Sequence, residues 1–294
     1  IEFYPVDVDF GTTTQEFHIG MGAVAVPGAA AGLFAVHGDL ARLPMTRIVE
    51  PAARLAREGT PISALQAHIL GIVEPIYVAT DAARSLFESR REPGRVLREG
   101  EIYRPAATAD VLEALAREGP GLFYRGEIAA EIVDACRAAG GAVARDDLEA
   151  YEVIPRRPLA QRFDGARVLT NPPPSSGGPL IAFALAMLDG EEAGTTPDDP
   201  AWLMRLADAM AITNVARSGC GLDGACDEAR VAELLSDPVV AQYRSAMAGR
   251  ALKQGGTTHV SVIDAAGNAA AMSVSNGEGC GHILPGCGIM LNNM

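Results

Sequence analysis

The chain has 294 residues, 48% of them hydrophobic, enough for a substantial core in one or two domains. Its formal net charge of -13 sets most of the surface against a phosphate backbone, so nucleic acid is not expected as a partner. No run of about 18 consecutive apolar residues occurs, so no membrane span is expected in this portion.

The first punctuation is "VAVPGAAAGL" (Val24 to Leu33), which reads as a strand turning through Pro27 and Gly28 into a helix. "MTRIVEPAARLAREG" follows with Thr46 as the expected N-cap, periodic Ile48, Val49, Ala52, Leu55 and Ala56, and Gly59 as the stop. "TADVLEALAREG" (Thr108 to Gly119) and "GEIAAEIVDACRAAGG" (Gly126 to Gly141) repeat the amphipathic pattern with a glycine at the end. "TNPPPSSGGPL" (Thr170 to Leu180) is too proline-rich in its middle for helix or strand; it reads as a simple linker or as an ordered loop lining a site. "PAWLMRLADAMAITNVARSG", from Pro200, predicts the longest helix.

From Thr257 the period changes to two. "TTHVSVID", the turn "AAGN" and "AAAMSVS" predict a β-hairpin, and "GIMLNN" is expected to open a third strand. About three strands are fewer than a stable sheet ordinarily has, which suggests that the chain lacks parts of its fold. The chain begins at Ile1 rather than methionine, so a targeting segment upstream is not visible, and a cytoplasmic or a periplasmic or secreted location are both open. The five cysteines (Cys136, Cys220, Cys226, Cys280 and Cys287) show neither C-x-x-C nor zinc-like spacing; they read as buried or free thiols, with a Cys220 to Cys226 disulfide as the alternative. Neither a metal nor an organic cofactor is implied. "GEGCGH" lacks the helix that a phosphate-binding glycine loop feeds, and no G-x-S-x-G elbow occurs.

The stretch "GGTTHVSVID" carries the chemical question. A threonine hydroxyl is a weak nucleophile until a base takes its proton, and an N-terminal threonine can use its own α-amine. That amine has a pKa near 8 when free, so a useful neutral fraction exists around neutral pH. Thr257 acquires it only if the Gly256–Thr257 bond is cut, and the same hydroxyl could cut it by attacking the Gly256 carbonyl. Gly256 leaves that attack unobstructed and tolerates strained dihedrals. The plain alternative is a glycine turn entering a strand in which Thr257 is an ordinary residue. Ser175 and Ser176 are other hydroxyls in a punctuated loop, with no base nearby in sequence.

The stretch from "TTHVSVIDAAGN" to "GIMLNNM" resembles the start of the small subunit of the gamma-glutamyltransferase family. "VAVPGAAAGL", "LPMTRIVEPAARLAREG", "LFYRGEIAAEIV", "AGGAVARDDLEAY" and "TNPPPSSGG" resemble its large-subunit signatures in the same order. The resemblance implies an α+β N-terminal-nucleophile hydrolase fold, an αββα sandwich of antiparallel sheets. It also implies self-cleavage into a large-subunit portion, residues 1–256, and a small subunit starting at Thr257. Thr257 matches the nucleophile, Ser275 a hydroxyl residue that hydrogen-bonds near it, and Asn276 an asparagine that holds the substrate α-amino group; a turn cap is the alternative for Asn276. Thr258 and His259 belong to the motif and are expected to shape the strand. Met294 stands where family members carry glutamate or glutamine, and the "SNGEGCG" loop is one residue short.

The implied activity is acyl transfer from γ-glutamyl amides such as glutathione to water or an amine. Two alternatives remain: an amidohydrolase or acylase with another acyl specificity, and a non-catalytic homologue that binds small amino compounds. The implied partners are the small-molecule donor and acceptor and the two subunits of one precursor.

Overall fold

The computed structural model describes residues 2–11, 13–190, 199–222, 225–246, 258–275, 277–284 and 286–293. Strands β1 (Tyr4–Asp9) and β2 (Thr14–Ile19) form an antiparallel hairpin that leads through a short 3-10 turn to helices α1 (Ala29–Leu40) and α2 (Met45–Glu58). The two-residue strand β3 (Thr60–Pro61) precedes α3 (Ala64–Ile72), α4 (Glu74–Tyr77) and α5 (Asp81–Phe87), and pairs with β4 (Ile102–Tyr103). Helices α6 (Ala106–Glu118), α7 (Gly121–Tyr124), α8 (Glu127–Ala138) and α9 (Arg145–Glu149) follow. The hairpin of β5 (Leu159–Phe163) and β6 (Ala166–Thr170) comes next, then α10 (Gly177–Leu188), α11 (Pro200–Gly219), α12 (Glu228–Leu234) and α13 (Asp237–Ser245). Strands β7 (Thr258–Ile263) and β8 (Ala269–Val274) close the series. Every sheet among the described residues has two strands. None of the described helices is long and apolar enough to cross a membrane.

Two compact units divide the chain: Ile1–Val153 with Thr257–Met294, and Ile154–Gly256. In the first, α8 turns Ile128, Ile132 and Cys136 inward onto Met21, Phe123 and Leu148, and the C-terminal residues Cys280, Leu284, Cys287 and Leu291 complete this core. Small residues let α2 and α6 approach closely, with Ala53 and Ala56 meeting Ala109. In the second unit, Phe183 and Met187 of α10 pack with Ala209 and Ile212 of α11 and Leu234 of α12.

The glycine-terminated helices form as the periodicity predicts. Gly59 and Gly119 each take a positive φ just past a helix, and their N–H groups still bond the carbonyls of Leu55 and Leu115. The start of α2 differs from expectation: Pro44, not Thr46, is the N-cap, because its extended backbone delivers its carbonyl to the N–H groups of Arg47 and Ile48. Val24 to Val26 do not form a strand either. The Ala25 N–H donates to the Asn292 side chain and the Pro27 carbonyl accepts from the Tyr124 hydroxyl, so no strand partner is required. Cys220 and Cys226 are both free thiols, as are the other three cysteines.

Glu101 organises the loop between α5 and β4. Its carboxylate is buried, yet it accepts the backbone N–H groups of Arg90 at 3.0 Å, Arg91 at 3.3 Å and Arg98 at 2.7 Å. Burial alone pushes its pKa upward; the donors outweigh that push and hold it below the usual glutamate value. A depressed carboxylate stabilises the fold above its unfolded pKa, and the stabilisation is lost as pH falls through the lower folded value. Glu101→Gln should therefore destabilise by about 1–3 kcal/mol at neutral pH, with the difference from wild type shrinking in acid, as followed by denaturant titration at several pH values.

The two glycines that open α10 differ in kind. A methyl group on Gly178 would overlap the Asn171 carbonyl oxygen, whereas one on Gly177 would meet nothing closer than the Ser175 hydroxyl at 3.9 Å. Gly178→Ala is expected to cost about 1–3 kcal/mol and Gly177→Ala less than about 0.5 kcal/mol, as thermal unfolding of the two variants would distinguish.

Candidate active site

The hairpin at the centre of the sequence motif is present with a defined register. Thr258 pairs with Val274, His259 with Ser273, Val260 with Met272 and Ile263 with Ala269. Its turn is built around Asp264, whose carboxylate accepts the N–H groups of Ala266 and Asn268 and the Asn268 side-chain amide at 2.8 Å. The Asn268 side chain is the main reason that the Asp264 carboxyl lies below its ordinary pKa. Gly267 takes the positive φ that the turn requires. Strand β7 thus starts opposite Val274, the residue immediately before Ser275.

Beyond Ser275 the chain dips into the helical core. The Asn293 side-chain oxygen accepts the N–H groups of Glu278 at 2.8 Å and Gly279 at 3.0 Å, while its amide donates to the His18 carbonyl. The Gly20 N–H donates to the Cys280 carbonyl, and the Cys280 N–H donates to the Leu291 carbonyl. Two threonine hydroxyls reach in from helices: Thr80, the N-cap of α5, donates to the Gly281 carbonyl, and Thr108 of α6 donates to the Cys287 carbonyl. The expected third strand does not form among the described residues. Residues Gly288 to Asn293 make one isolated bridge, Met290 to Ile283, because Gly286 and Gly288 take positive φ values that turn the chain back on itself.

Burial dominates the electrostatics of this loop. It pushes the Glu278 carboxyl up and the His282 imidazole down. The Tyr77 hydroxyl is raised by burial and then by the Glu278 charge. The Cys287 thiol is pushed up to about 11, chiefly by burial, so it stays protonated at neutral pH and behaves as a small apolar residue.

A groove of about 840 Å3 runs along the first unit beside this loop. Val274 and Ser275 line it together with apolar residues of α1, α2 and α6, and Asn292 and Tyr151 are the other polar side chains in its walls. Tyr151 stacks on Tyr124 at 5.5 Å, and Tyr124 in turn donates to the Pro27 carbonyl at 2.6 Å and accepts the Ala31 N–H at 3.1 Å. These tyrosines fix the "VPGAAAG" turn, and a side chain on Gly28 would collide with the Tyr151 hydroxyl.

Of the residues that the sequence nominates for the site, Gly256, Thr257 and Asn276 lie outside the described residues. Ser275 is exposed, and its hydroxyl accepts the Gly277 N–H at 3.2 Å. Sequence reasoning did not single out Asn292, Asn293, Tyr124 or Tyr151, which carry much of the structural weight here. Each lies inside or beside one of the family-like signatures, and that position was the available signal.

Likeness to solved structures gives the fold as that of N-terminal-nucleophile hydrolases. Over 98% of this chain and 59% of the other, it superposes on cephalosporin acylase from Bacillus halodurans with a TM-score of 0.77 and 25% identity. Residues 2–294 match the gamma-glutamyltranspeptidase family, and the chain belongs to that family. Glutathione hydrolase 2 of Arabidopsis thaliana is 31% identical over 97% of this chain and 52% of its own length. The acylase ACY 1 proenzyme of a Pseudomonas species is 30% identical over 96% of this chain and 52% of its own length. The chain thus spans about half the length of the curated relatives it matches.

A single atom, the Asn293 side-chain oxygen, accepts both the Glu278 and the Gly279 N–H groups. Asn293→Ala should destabilise by about 1–3 kcal/mol and speed amide exchange at Glu278 and Gly279, whereas Asn293→Asp, which keeps an acceptor, should retain most of the protection.

Proposed function

We propose that this chain forms part of an amide acyl-transfer enzyme in which Thr257 is both nucleophile and, through its freed α-amine, base. The observation that carries this reading is the register of the hairpin: β7 begins at Thr258 opposite Val274, and Ser275, the next residue after Val274, leads into a loop whose later residues are pinned into the core. In this reading the Thr257 hydroxyl first attacks the Gly256 carbonyl, the Gly256–Thr257 carbon–nitrogen bond breaks, and the hydroxyl proton ends on the departing Thr257 nitrogen, leaving an ester. Water then hydrolyses the resulting ester, dividing the precursor into residues 1–256 and a small subunit that starts at Thr257.

The α-amine next takes the Thr257 hydroxyl proton as the oxygen bonds to the carbonyl carbon of a donor amide. The carbon–nitrogen bond breaks, the amine departs with that proton, and an acyl ester remains. Water or an amine adds to the ester, gives up a proton to the α-amine, and restores the hydroxyl as the acyl product leaves. Ser275 would hydrogen-bond near the nucleophile and Asn276 would contact the donor.

γ-Glutamyl amides such as glutathione are the donors that family membership puts first, supported by the names of the glutathione hydrolase relatives. A second reading, an acylase for other acyl groups, is supported by acylase relatives of similar identity. On a denaturing gel the active full-length protein should run as two pieces, the smaller one starting Thr-Thr-His. Thr257→Ala should run as one piece and lose at least about a thousandfold of amide turnover; an uncut, fully active protein would overturn the reading.

A further inference from the structure

We infer that Asn293 is a positioning residue for the proposed reaction, acting through Gly277 on the hydroxyl of Ser275; this rests on the Thr257 reading above. Three consecutive residues of the loop sit on this one side chain. Its oxygen accepts the Glu278 N–H at 2.8 Å and the Gly279 N–H at 3.0 Å. A methyl group on Gly277 would overlap the same oxygen, so the loop closes on Asn293 only with glycine there, and its φ of 63° is left-handed. Gly277 in turn donates its N–H to the Ser275 hydroxyl at 3.2 Å. The contacts therefore run without a gap from Asn293 to Ser275. At the other end, the Asn293 amide donates to the His18 carbonyl of β2 at 3.3 Å, and the preceding Asn292 side chain accepts the Ala25 N–H at 2.9 Å. A serine hydroxyl has one proton and two acceptor lone pairs. The Gly277 N–H takes up one lone pair and leaves the proton to be donated, in the proposed reaction to the Thr257 oxygen. Removing the Asn293 side chain frees the backbone of Gly277 to Gly279 and, with it, the donor that orients Ser275.

The test follows self-cleavage of the full-length precursor, made by cell-free translation, at a temperature where every variant is folded; this step needs no added substrate. Ser275→Ala and Asn293→Ala should each slow cleavage by at least about tenfold, and Asn293→Asp, which keeps the acceptor, should recover to within about threefold of wild type. Placed in the Ser275→Ala background, Asn293→Ala should slow cleavage by less than about a further twofold, because the group it orients is gone. Should Asn293→Ala fail to fold, Asn293→Ser, which shortens the side chain, carries the same comparison. Slowing factors that multiply in the double variant overturn the inference, since a merely structural residue would act independently of Ser275. Wild-type cleavage by Asn293→Ala, despite faster amide exchange at Glu278 and Gly279, also overturns it, as does wild-type cleavage by Ser275→Ala; both leave the Thr257 mechanism standing. A wild type that stays uncut overturns the mechanism and this inference together.

Discussion

The burial of the C-terminal loop in the helical core is the constraint on which the first unit depends. Cys280, Leu284, Cys287 and Leu291 bury their side chains, and the backbone that carries them must find partners in a place water does not reach. It finds them in the Asn293 oxygen, in the hydroxyls of Thr80 and Thr108, and in the Gly20 N–H. Gly277, Gly281 and Gly288 supply the left-handed turns that let so short a loop reverse repeatedly, and a methyl on Gly277 would strike Asn293. Helices α5 and α6 are thereby tied to a segment far away in sequence, and the end of β8 is held where Ser275 meets the groove.

That arrangement gives the glycine-rich stretch after the hairpin a physical meaning. Its "GEGCG" pattern is not a phosphate cradle, since the N–H groups of Glu278 and Gly279 are turned onto a protein side chain. The cysteines in and around it are packing residues whose burial keeps the thiols protonated. Acyl transfer depends on such hydrogen-bonded supports around a site, because misplacement by about 1 Å can cost about a hundredfold in rate.

Local signals made much of this architecture legible in the sequence. The helices around Leu55, Leu115 and Ile132 follow from apolar periodicity and glycine stops, and the β7–β8 hairpin follows from alternation around Gly267 and Asn268. The motif at Thr257 and its relation to a known family were equally readable, since both are contiguous. Nonlocal features escaped. "GIMLNN" has the composition of a strand, but the turns at Gly286 and Gly288 and the hydrogen bond from Cys280 to Leu291 override that preference. Val24 to Val26 fail as a strand for the same reason, because Asn292 and Tyr124 satisfy that backbone from far along the chain. The groove was invisible because α1, α2, α6 and the loop contribute to it from four separate parts of the sequence.

The β7–β8 ribbon carries one more consequence. Val260 is 51% exposed, Val262 58% and Ile263 73%, so apolar groups stand bare on both of its faces. Its span from Thr258 to Val274 contains no lysine and no proline, the residues that ordinarily guard an open strand edge. Such a ribbon offers a neighbouring strand both an open backbone edge and apolar side chains to cover.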